Sequence, residues 1–205
     1  MTPSYWPRAT RELAAADAVM GQLIERHDPF VVGSRGDAFS TLARAIVGQQ
    51  LSVKAAQSVW KRLRAEMGGM NPGALLGVPS ERLRACGLSG AKVSYLRDLA
   101  ARFETNALDV AAWAALDDDA VIRALTEVKG IGRWTAEMFL IFYMARPDVL
   151  PLDDIGLQRA MRLAYNRGRA LSAARIRRLG TSWSPWRSVA TWYLWRSLDP
   201  IPVQY

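Results

Sequence analysis

The sequence predicts an all-α fold, and three observations carry that prediction. No stretch of the chain alternates apolar and polar residues over the length of a strand. Apolar residues instead recur three or four positions apart in segment after segment, which is the spacing of one helix face. Glycine, proline and small polar residues stand where these segments begin and end. With 205 residues, half of them hydrophobic, the chain can bury a sizeable core as one domain or as two lobes that share a cleft.

The first helix is predicted to follow a proline-rich, irregular start at residues 1–8. Thr10 is a suitable N-cap residue, and the apolar spacing continues from there to about His27. A cationic imidazole near the end of a helix complements the helix dipole, so we expect a structural role for His27.

Two helices of the next segment are predicted to meet at a corner that carries glutamines. Asp37 begins a helix that runs into Gly48, and Ser52 is placed to cap the helix after it. Gln49 and Gln50 lie between the two helices. We expect Gln49 to satisfy backbone groups at this junction.

The chain from Asn71 onward is predicted to take short helical steps, because glycine or proline stands at each junction. The junction GLSGAK, which ends at Lys92, has the form of a second and weaker hairpin. Lys92 there is either a phosphate contact or a solvated surface residue. Between Leu108 and Leu125 we expect two amphipathic helices, the second of which starts at the acidic run 117–119.

A tight hairpin between two helices is predicted at about residues 121–145. The apolar face of the first helix ends at Val128, and the helical period resumes at Trp134. Gly130 and Gly132 between them are expected to adopt φ values that only glycine reaches cheaply. Without side chains there, the N–H groups of the turn and of the second helix can approach an anion, which the helix dipole also favours. A DNA phosphate fits this role.

The C-terminal part is predicted to hold a pair of acids and an aromatic helix. Asp153 and Asp154 stand between an apolar run and a helix at 155–165, and we expect Asp153 to be its cap. The arginines at 175, 177 and 178 are expected on a solvated face. The last helix begins at Pro185, and most of its aromatic residues must lie in the core. These residues are Trp186, Trp192, Tyr193 and Trp195.

The composition narrows the range of partners and cofactors. The formal net charge of +8 suits a polyanionic partner such as nucleic acid. The single cysteine, Cys86, excludes an intramolecular disulfide and a four-cysteine iron–sulfur cluster, and the single histidine argues against a zinc site. No apolar run is long enough to span a membrane, and the N-terminus lacks a signal-peptide core. We therefore expect a cytoplasmic protein that does not contact a membrane. We also expect it to be a monomer.

Three segments together resemble a known family. They are VKGIGRWTAEMFL followed by LPLDDIGLQR, AIVGQQLSVKAA at 45–56 and SPWRSVATWYLWR at 184–196. In this order they are similar to the helix-hairpin-helix (HhH-GPD) DNA glycosylase superfamily of base excision repair, and within it to the DNA-3-methyladenine glycosylase II (AlkA-type) branch. The resemblance covers about residues 37–198. It implies one glycosylase domain over 1–205, with two helical lobes around a central cleft.

The resemblance also implies roles for individual residues. It carries the catalytic aspartate onto Asp154 and the aromatic walls of a base pocket onto Trp134 and Trp195. Met138 stands where family members can carry a further aromatic residue. The DNA-binding hairpin would consist of Lys129, Gly130, Ile131, Gly132, Arg133 and Thr135.

The same resemblance places a wedge in the corner between the two early helices. An enzyme that flips a base out of the duplex must fill the gap with a side chain. The candidates for this wedge are Gln50 and Leu51.

These residues predict a monofunctional DNA glycosylase that excises alkylated purines, such as 3-methyladenine and 7-methylguanine, from duplex DNA by base flipping and aspartate-assisted hydrolysis. Bifunctional relatives have a lysine at the position of Trp134, and tryptophan cannot form their Schiff base. A base that already carries positive charge leaves without a general acid. No cofactor is expected, because one cysteine and one histidine supply neither an iron–sulfur cluster nor a zinc site. A structural monovalent cation at the hairpin is the one ion that the resemblance allows.

Two alternatives stay open at this point. A helix-hairpin-helix protein that binds DNA without catalysis would be favoured if Asp154 lay buried in a salt bridge away from any cleft. A bifunctional glycosylase and lyase for oxidised bases is disfavoured by Trp134 and by the absence of cluster cysteines.

Overall fold

The computed structural model describes residues 2–27 and 37–198, and within them the chain forms twelve α-helices, one 3-10 turn and no strand. The all-α prediction is therefore confirmed. In chain order the helices are α1 (Trp6–Ala16), α2 (Ala18–His27), α3 (Ala38–Gly48), α4 (Val53–Met67), α5 (Pro72–Gly77), α6 (Ser80–Ala85), α7 (Gly90–Glu104), α8 (Asp118–Thr126), α9 (Arg133–Phe142), α10 (Ile155–Asn166), α11 (Ala173–Ser182) and α12 (Arg187–Leu198). The predicted helix-hairpin-helix consists of α8, the loop after it and α9.

The helices divide into two compact units. The first, which we call the aspartate unit, holds the described residues 2–27 and 140–198, and so contains α1, α2, α10, α11 and α12. The second, the hairpin unit, holds the described residues 37–139, with α3 to α8 and most of α9. The division falls inside α9, and each unit is helical, in line with the two helical lobes that the resemblance implied.

The core of the aspartate unit is unusually aromatic. Trp183 and Tyr193 are fully buried, and Trp6 meets Trp192 edge to face at a ring separation of 5.7 Å. The polar edges of these rings find acceptors, as buried tryptophan and tyrosine require. Asp17, for example, accepts hydrogen bonds from Tyr165 and from the indole N–H of Trp183. The prediction that most aromatic residues of the last helix lie in the core is confirmed for Trp186, Trp192 and Tyr193.

The single N-terminal helix that we expected is in fact two helices. Thr10 does not cap the first one, because α1 already begins at Trp6, and a proline in the first turn suits that start. The second helix begins after Asp17, whose carboxylate accepts hydrogen bonds from the N–H groups of Val19 and Met20. Aspartate competes in this way with the helical hydrogen bonds of the main chain, and here it separates α1 from α2.

His27 lies in the last turn of α2, as expected, but its charge state differs from the expectation. Burial lowers the pKa of His27, and the neighbouring Arg196 and Arg26 lower it further. A lowered pKa favours the neutral imidazole at neutral pH. The dipole of α2 is therefore complemented by Arg26 in the same turn and not by a histidine cation.

The hairpin unit packs short helices against one another. Helix α3 contacts α4 and α7, and α5 contacts α7. Two aromatic pairs join distant parts of the chain, since Phe39 meets Phe103 and Trp113 meets Phe139, both edge to face. Five helices begin at a side chain that accepts a hydrogen bond from the N–H group three residues ahead. These N-cap residues are Asp37, Ser52, Asn71, Ser89 and Asp117.

Only one of the two helices expected between Leu108 and Leu125 is an α-helix. It is α8, which starts within the acidic run as predicted. The other is a 3-10 turn, Ala112–Ala115. The carboxylate of Asp109 accepts a hydrogen bond from the N–H of Ala112 at its start, and the chain is already extended at Leu116. The space between these two points allows no more than one turn.

Candidate functional site

The hairpin between α8 and α9 is a tight turn held by its own backbone. The N–H of Ile131 donates to the carbonyl of Val128 over 3.1 Å, and the Ile131 side chain is buried. Gly130 has a φ of 80°, which favours glycine. A Cβ at this position would also overlap the ring of Tyr95. Gly130 is therefore required both by the backbone conformation and by the packing of α7.

Gly132 differs from the expectation, because its φ is not positive. It is absent from the described glycines whose φ lies in the left-handed region. A Cβ at Gly132 would have no atom of the described chain within 4 Å. The glycine thus leaves open space in front of the start of α9. The first amide groups of any helix lack acceptors within the helix, so a ligand anion can approach these groups closely.

The side chains assigned to the hairpin fall into two groups. Ile131 and Thr135 are buried, whereas Lys129 and Arg133 are exposed. The guanidinium of Arg133 donates from Nε to the buried carboxylate of Glu137 over 3.0 Å. The surface that the hairpin offers to a phosphate is therefore formed by Lys129, Gly132 and Arg133.

The glutamine corner between α3 and α4 is tied directly to the hairpin. Gln49 Nε2 donates to the carbonyl oxygen of Gly130 over 2.7 Å, which confirms the expectation that Gln49 satisfies a backbone group. Lys92 Nζ donates to the carbonyls of Val47 and Gln49 over 2.8 and 2.7 Å. Burial lowers the pKa of Lys92. Lys92 therefore holds the corner in place, and neither of the roles that we considered for it, phosphate contact or solvated surface, describes it.

The two wedge candidates stand on the surface of this corner. Gln50 is exposed and has a φ of 57°, a left-handed conformation that a glutamine adopts rarely. Such a conformation costs on the order of 1–3 kcal/mol and persists only where its surroundings impose it. Leu51 is 40% exposed. The sequence thus folds into a corner that presents a strained polar residue beside an exposed apolar one.

The two base-pocket candidates of the hairpin unit lie on α9. Trp134 is the second residue of this helix and is 38% exposed, so part of its indole faces solvent. Met138, one turn further along, is 6% exposed. Of these two, Trp134 offers the larger surface to a ligand.

Asp154, the candidate catalytic residue, is the N-cap of α10 in the aspartate unit. Its Oδ1 atom accepts a hydrogen bond from the N–H of Leu157 over 2.5 Å and a second one from the indole Nε1 of Trp195 over 2.7 Å. The residue is 7% exposed. The expectation that Asp153 would be the cap is wrong, because Asp153 is exposed and Asp154 makes the capping bond.

Trp195 is fixed from two sides. Its ring stacks on Phe142 with the centroids 5.8 Å apart and the planes 17° from parallel. On another side lies Gly156, where a Cβ would come within 3.1 Å of Asp154 Oδ1 and 3.3 Å of Trp195 Cδ1. The absence of a side chain at Gly156 therefore permits the hydrogen bond between Trp195 and Asp154.

Sequence reasoning missed both Phe142 and Gly156. Phe142 could have been found, because it follows Trp134 by eight residues, a spacing that repeats along one helix face. Gly156 carried a weaker signal, that of a glycine within the first turn of a predicted helix.

The loop before Asp154 is anchored to the start of α12. Asp148 accepts two hydrogen bonds from the guanidinium of Arg187, at 2.7 and 2.9 Å, and one from the hydroxyl of Ser184 at 2.9 Å. Ser188 donates to the carbonyl of Arg146 and accepts from the N–H of Val149. The loop that delivers Asp154 is therefore held by side chains of the helix that carries Trp195.

No group of three or more His, Cys, Asp or Glu side chains suitable for a metal ion occurs in the described ranges 2–27 and 37–198. Two hairpin carbonyls, those of Val128 and Gly130, accept hydrogen bonds from Ile131 and Gln49. Each retains one lone pair, so a monovalent cation at the hairpin stays a prediction. Among the described helices, none is long and apolar enough to cross a membrane.

Comparison with known proteins places this arrangement among DNA repair enzymes. Residues 43–185 match the model of the HhH-GPD superfamily, described as base excision DNA repair protein. Among curated proteins, DNA-3-methyladenine glycosylase 1 of Schizosaccharomyces pombe is 29% identical over 180 residues, which cover 86% of this chain and 79% of the relative.

Two solved structures are similar over almost the whole chain. The DNA-3-methyladenine glycosidase of Bacillus halodurans is 35% identical, with a TM-score of 0.86 over 92% of this chain and 88% of that one. The 3-methyladenine DNA glycosylase Mag1 of Schizosaccharomyces pombe, solved in complex with abasic DNA, is 28% identical. Its TM-score is 0.81 over 97% of this chain and 100% of that one.

Proposed function

Because the chain belongs to the HhH-GPD superfamily of base excision DNA repair proteins, we propose that it is a monofunctional DNA glycosylase that removes alkylated purines of the 3-methyladenine and 7-methylguanine type from duplex DNA. The observation that carries the proposal is the setting of Asp154. Its carboxylate is almost buried at a helix start, where Oδ1 accepts hydrogen bonds from the main-chain N–H of Leu157 and from the indole N–H of Trp195.

These two hydrogen bonds fix the orientation of the Asp154 carboxylate. Cleavage of an N-glycosidic bond builds positive charge on the sugar ring, and a fixed carboxylate beside the ring stabilises that charge. The same carboxylate can orient a water molecule and accept its proton as the water attacks the sugar, a contribution of about 10²- to 10⁴-fold for general base catalysis. We assign both tasks to Asp154.

Trp195 has two tasks in this proposal. Its indole N–H holds Asp154 Oδ1, and its ring forms one wall of the base pocket. Phe142 covers one face of the Trp195 ring, so a base can stack only on the opposite face. By resemblance to the family, Trp134 and Met138 of the hairpin unit are also assigned to base binding, and of these two Trp134 exposes the larger surface. An aromatic face attracts a cationic base by about 0.5–2 kcal/mol, which favours alkylated purines over neutral ones.

The hairpin unit would hold the DNA. Lys129, Gly132 and Arg133 would contact a phosphate, and the wedge would be Gln50 or Leu51. The hydrogen bond from Gln49 to Gly130 joins the phosphate anchor and the wedge through one contact. Insertion of the wedge is therefore set by the position of the hairpin on the backbone of the duplex.

A cationic purine is a good leaving group, so the proposed reaction needs neither a general acid nor a cofactor. The position that bears the Schiff-base lysine in bifunctional relatives is Trp134 here, and the product should be an intact abasic site. We also propose that the protein acts as a monomer.

A panel of duplexes with single lesions tests the function. Base release and strand scission should be measured with and without alkali. Release of cationic purines with scission only after alkali supports the proposal. Strand scission without alkali would favour the bifunctional alternative, and no release of any base would favour a DNA-binding protein without catalysis.

A further inference from the structure

A groove runs along one face of α4. It has a volume of about 640 Å³ and lies between α4 and Arg44 of α3. Trp60, Lys61 and Arg64 line it on α4, a spacing that puts them on one face of the helix. None of the described residues that line the groove is acidic.

The positive charges of Lys61 and Arg64 are not neutralised within the protein. Both residues are exposed, and neither forms an ion pair with an acidic side chain of the part of the chain that the structure describes. A concave surface with charge of one sign concentrates ligands of the opposite sign. The positive charge of the groove therefore favours an anionic ligand.

The far end of the groove is bare backbone. Gly68 and Gly69 lie there with positive φ, and a Cβ at either would have no neighbour within 4 Å. Their N–H groups donate to the carbonyls of Ala65 and Arg64, so they are already used. The cationic side chains would thus hold the anion. The two glycines leave open space at the end of the groove, so an extended anionic polymer could pass over them.

We propose that this groove binds the phosphate backbone of the DNA duplex to one side of the lesion, beyond the segment that the hairpin holds. The proposal rests on the proposed function, because it takes the corner at Gln50 and Leu51 as the position of the lesion. Helix α4 starts at this corner, with Ser52 as its cap. At 1.5 Å per residue, Lys61 and Arg64 lie about 14 and 18 Å along the helix from Ser52.

That distance corresponds to about four to five base pairs at 3.4 Å per step. A phosphodiester chain suits the groove better than a free nucleotide does, because its single tryptophan is almost buried and leaves little ring surface for a base. The groove would extend the footprint of the protein on one flank of the lesion only.

The test is the salt dependence of binding for the double variant Lys61→Ser/Arg64→Ser. The matched control is Arg84→Ser/Arg169→Ser, which removes the same charge from exposed positions outside the groove. The DNA probes are 25-base-pair duplexes with a stable abasic-site analogue at the centre, or three base pairs from one end or from the other. Affinity is measured by fluorescence anisotropy between 50 and 200 mM salt.

On the duplex with the central lesion, log K falls as log salt rises, and loss of two phosphate contacts should make this negative slope less steep by about 1.8. The ratio of the binding constant of the unaltered protein to that of the variant should then fall about 12-fold between 50 and 200 mM salt. One of the two end-lesion duplexes should show no difference between variant and unaltered protein, because its short flank does not reach the groove. The control should match the unaltered protein on all three duplexes.

Equal slopes for the double variant and the control on every duplex would overturn the proposal, and this is also the result expected if the groove holds an acidic peptide or a small phosphate compound. The outcome is independent of catalysis, since it is read from binding alone. A chain that excised no base would refute the proposed function but would leave the salt slopes as the test of the groove.

Discussion

Replacing Trp195 by phenylalanine separates the two roles that the structure gives to this side chain. Phenylalanine keeps an aromatic ring that can stack on Phe142 and on a base, but it loses the indole N–H that holds Asp154 Oδ1 over 2.7 Å. A hydrogen bond to a charged group contributes about 1.5–3 kcal/mol. If that amount is lost from the transition state, the rate of base release should fall about 10- to 150-fold.

The assay is single-turnover release of 7-methylguanine from a duplex, with DNA affinity measured in parallel. Trp195→Phe should lower the release rate and leave affinity for the lesion duplex within about twofold. Phe142→Leu is the matched control, because it removes the stacking partner but keeps the indole N–H. A Trp195→Phe variant as fast as the unaltered protein, together with a slow Phe142→Leu variant, would show that Trp195 acts only as a wall and would refute the orienting role.

Two further predictions concern glycines whose surroundings differ. Gly156→Ala should slow base release at least about tenfold, because its Cβ would stand 3.1 Å from Asp154 Oδ1. The control is Gly90→Ala in the first turn of α7, whose Cβ would meet nothing within 4 Å and which should release the base at the unaltered rate. Equal rates for the two variants would contradict this prediction. Gly132→Asp should weaken DNA binding, measured by anisotropy, and leave the melting temperature unchanged. Gly130→Ala should lower the melting temperature, measured by thermal unfolding, because its Cβ would overlap Tyr95. Normal DNA affinity of Gly132→Asp would exclude a phosphate at the hairpin.

The helix starts could be predicted from the sequence because the forces that set them are local. Asp37, Ser52 and Asp117 each bond to an N–H only three residues ahead, so a short stretch of sequence contains the whole interaction. The same reasoning failed near the N-terminus, where Thr10 was expected to cap one long helix and Asp17 instead separates two helices. Helix α1 starts at Trp6, which packs in the aromatic core, and contacts of this kind do not show in a short stretch of sequence.

The site was predictable only as far as single residues are concerned. The positions of Asp154 and Trp195 followed from the resemblance, but the hydrogen bond between them joins residues 41 positions apart. The contacts of Lys92 with the carbonyls of Val47 and Gln49 likewise cross 45 and 43 positions. Neither appears in a pattern of spacing or charge, because each depends on how separate helices pack.

For the adjacent residues Asp153 and Asp154, too, the sequence alone could not distinguish their roles. Both are aspartates directly before a helix, and the sequence offered no local reason to prefer one as the cap. The structure places Asp153 on the surface and Asp154 against Leu157 and Trp195. The residue that caps α10 is therefore also the candidate for catalysis.

The most direct measurement is the single-turnover release of 3-methyladenine by Asp154→Asn, compared with Asp153→Asn and with the unaltered protein. The asparagine at 154 keeps the shape of the side chain and removes its negative charge, so release should fall by at least about 100-fold while DNA affinity stays similar or rises. Asp153→Asn should stay within a few-fold of the unaltered protein. A near-normal rate for Asp154→Asn would contradict the assignment of the catalytic carboxylate, and with it the account of how this fold cleaves the glycosidic bond.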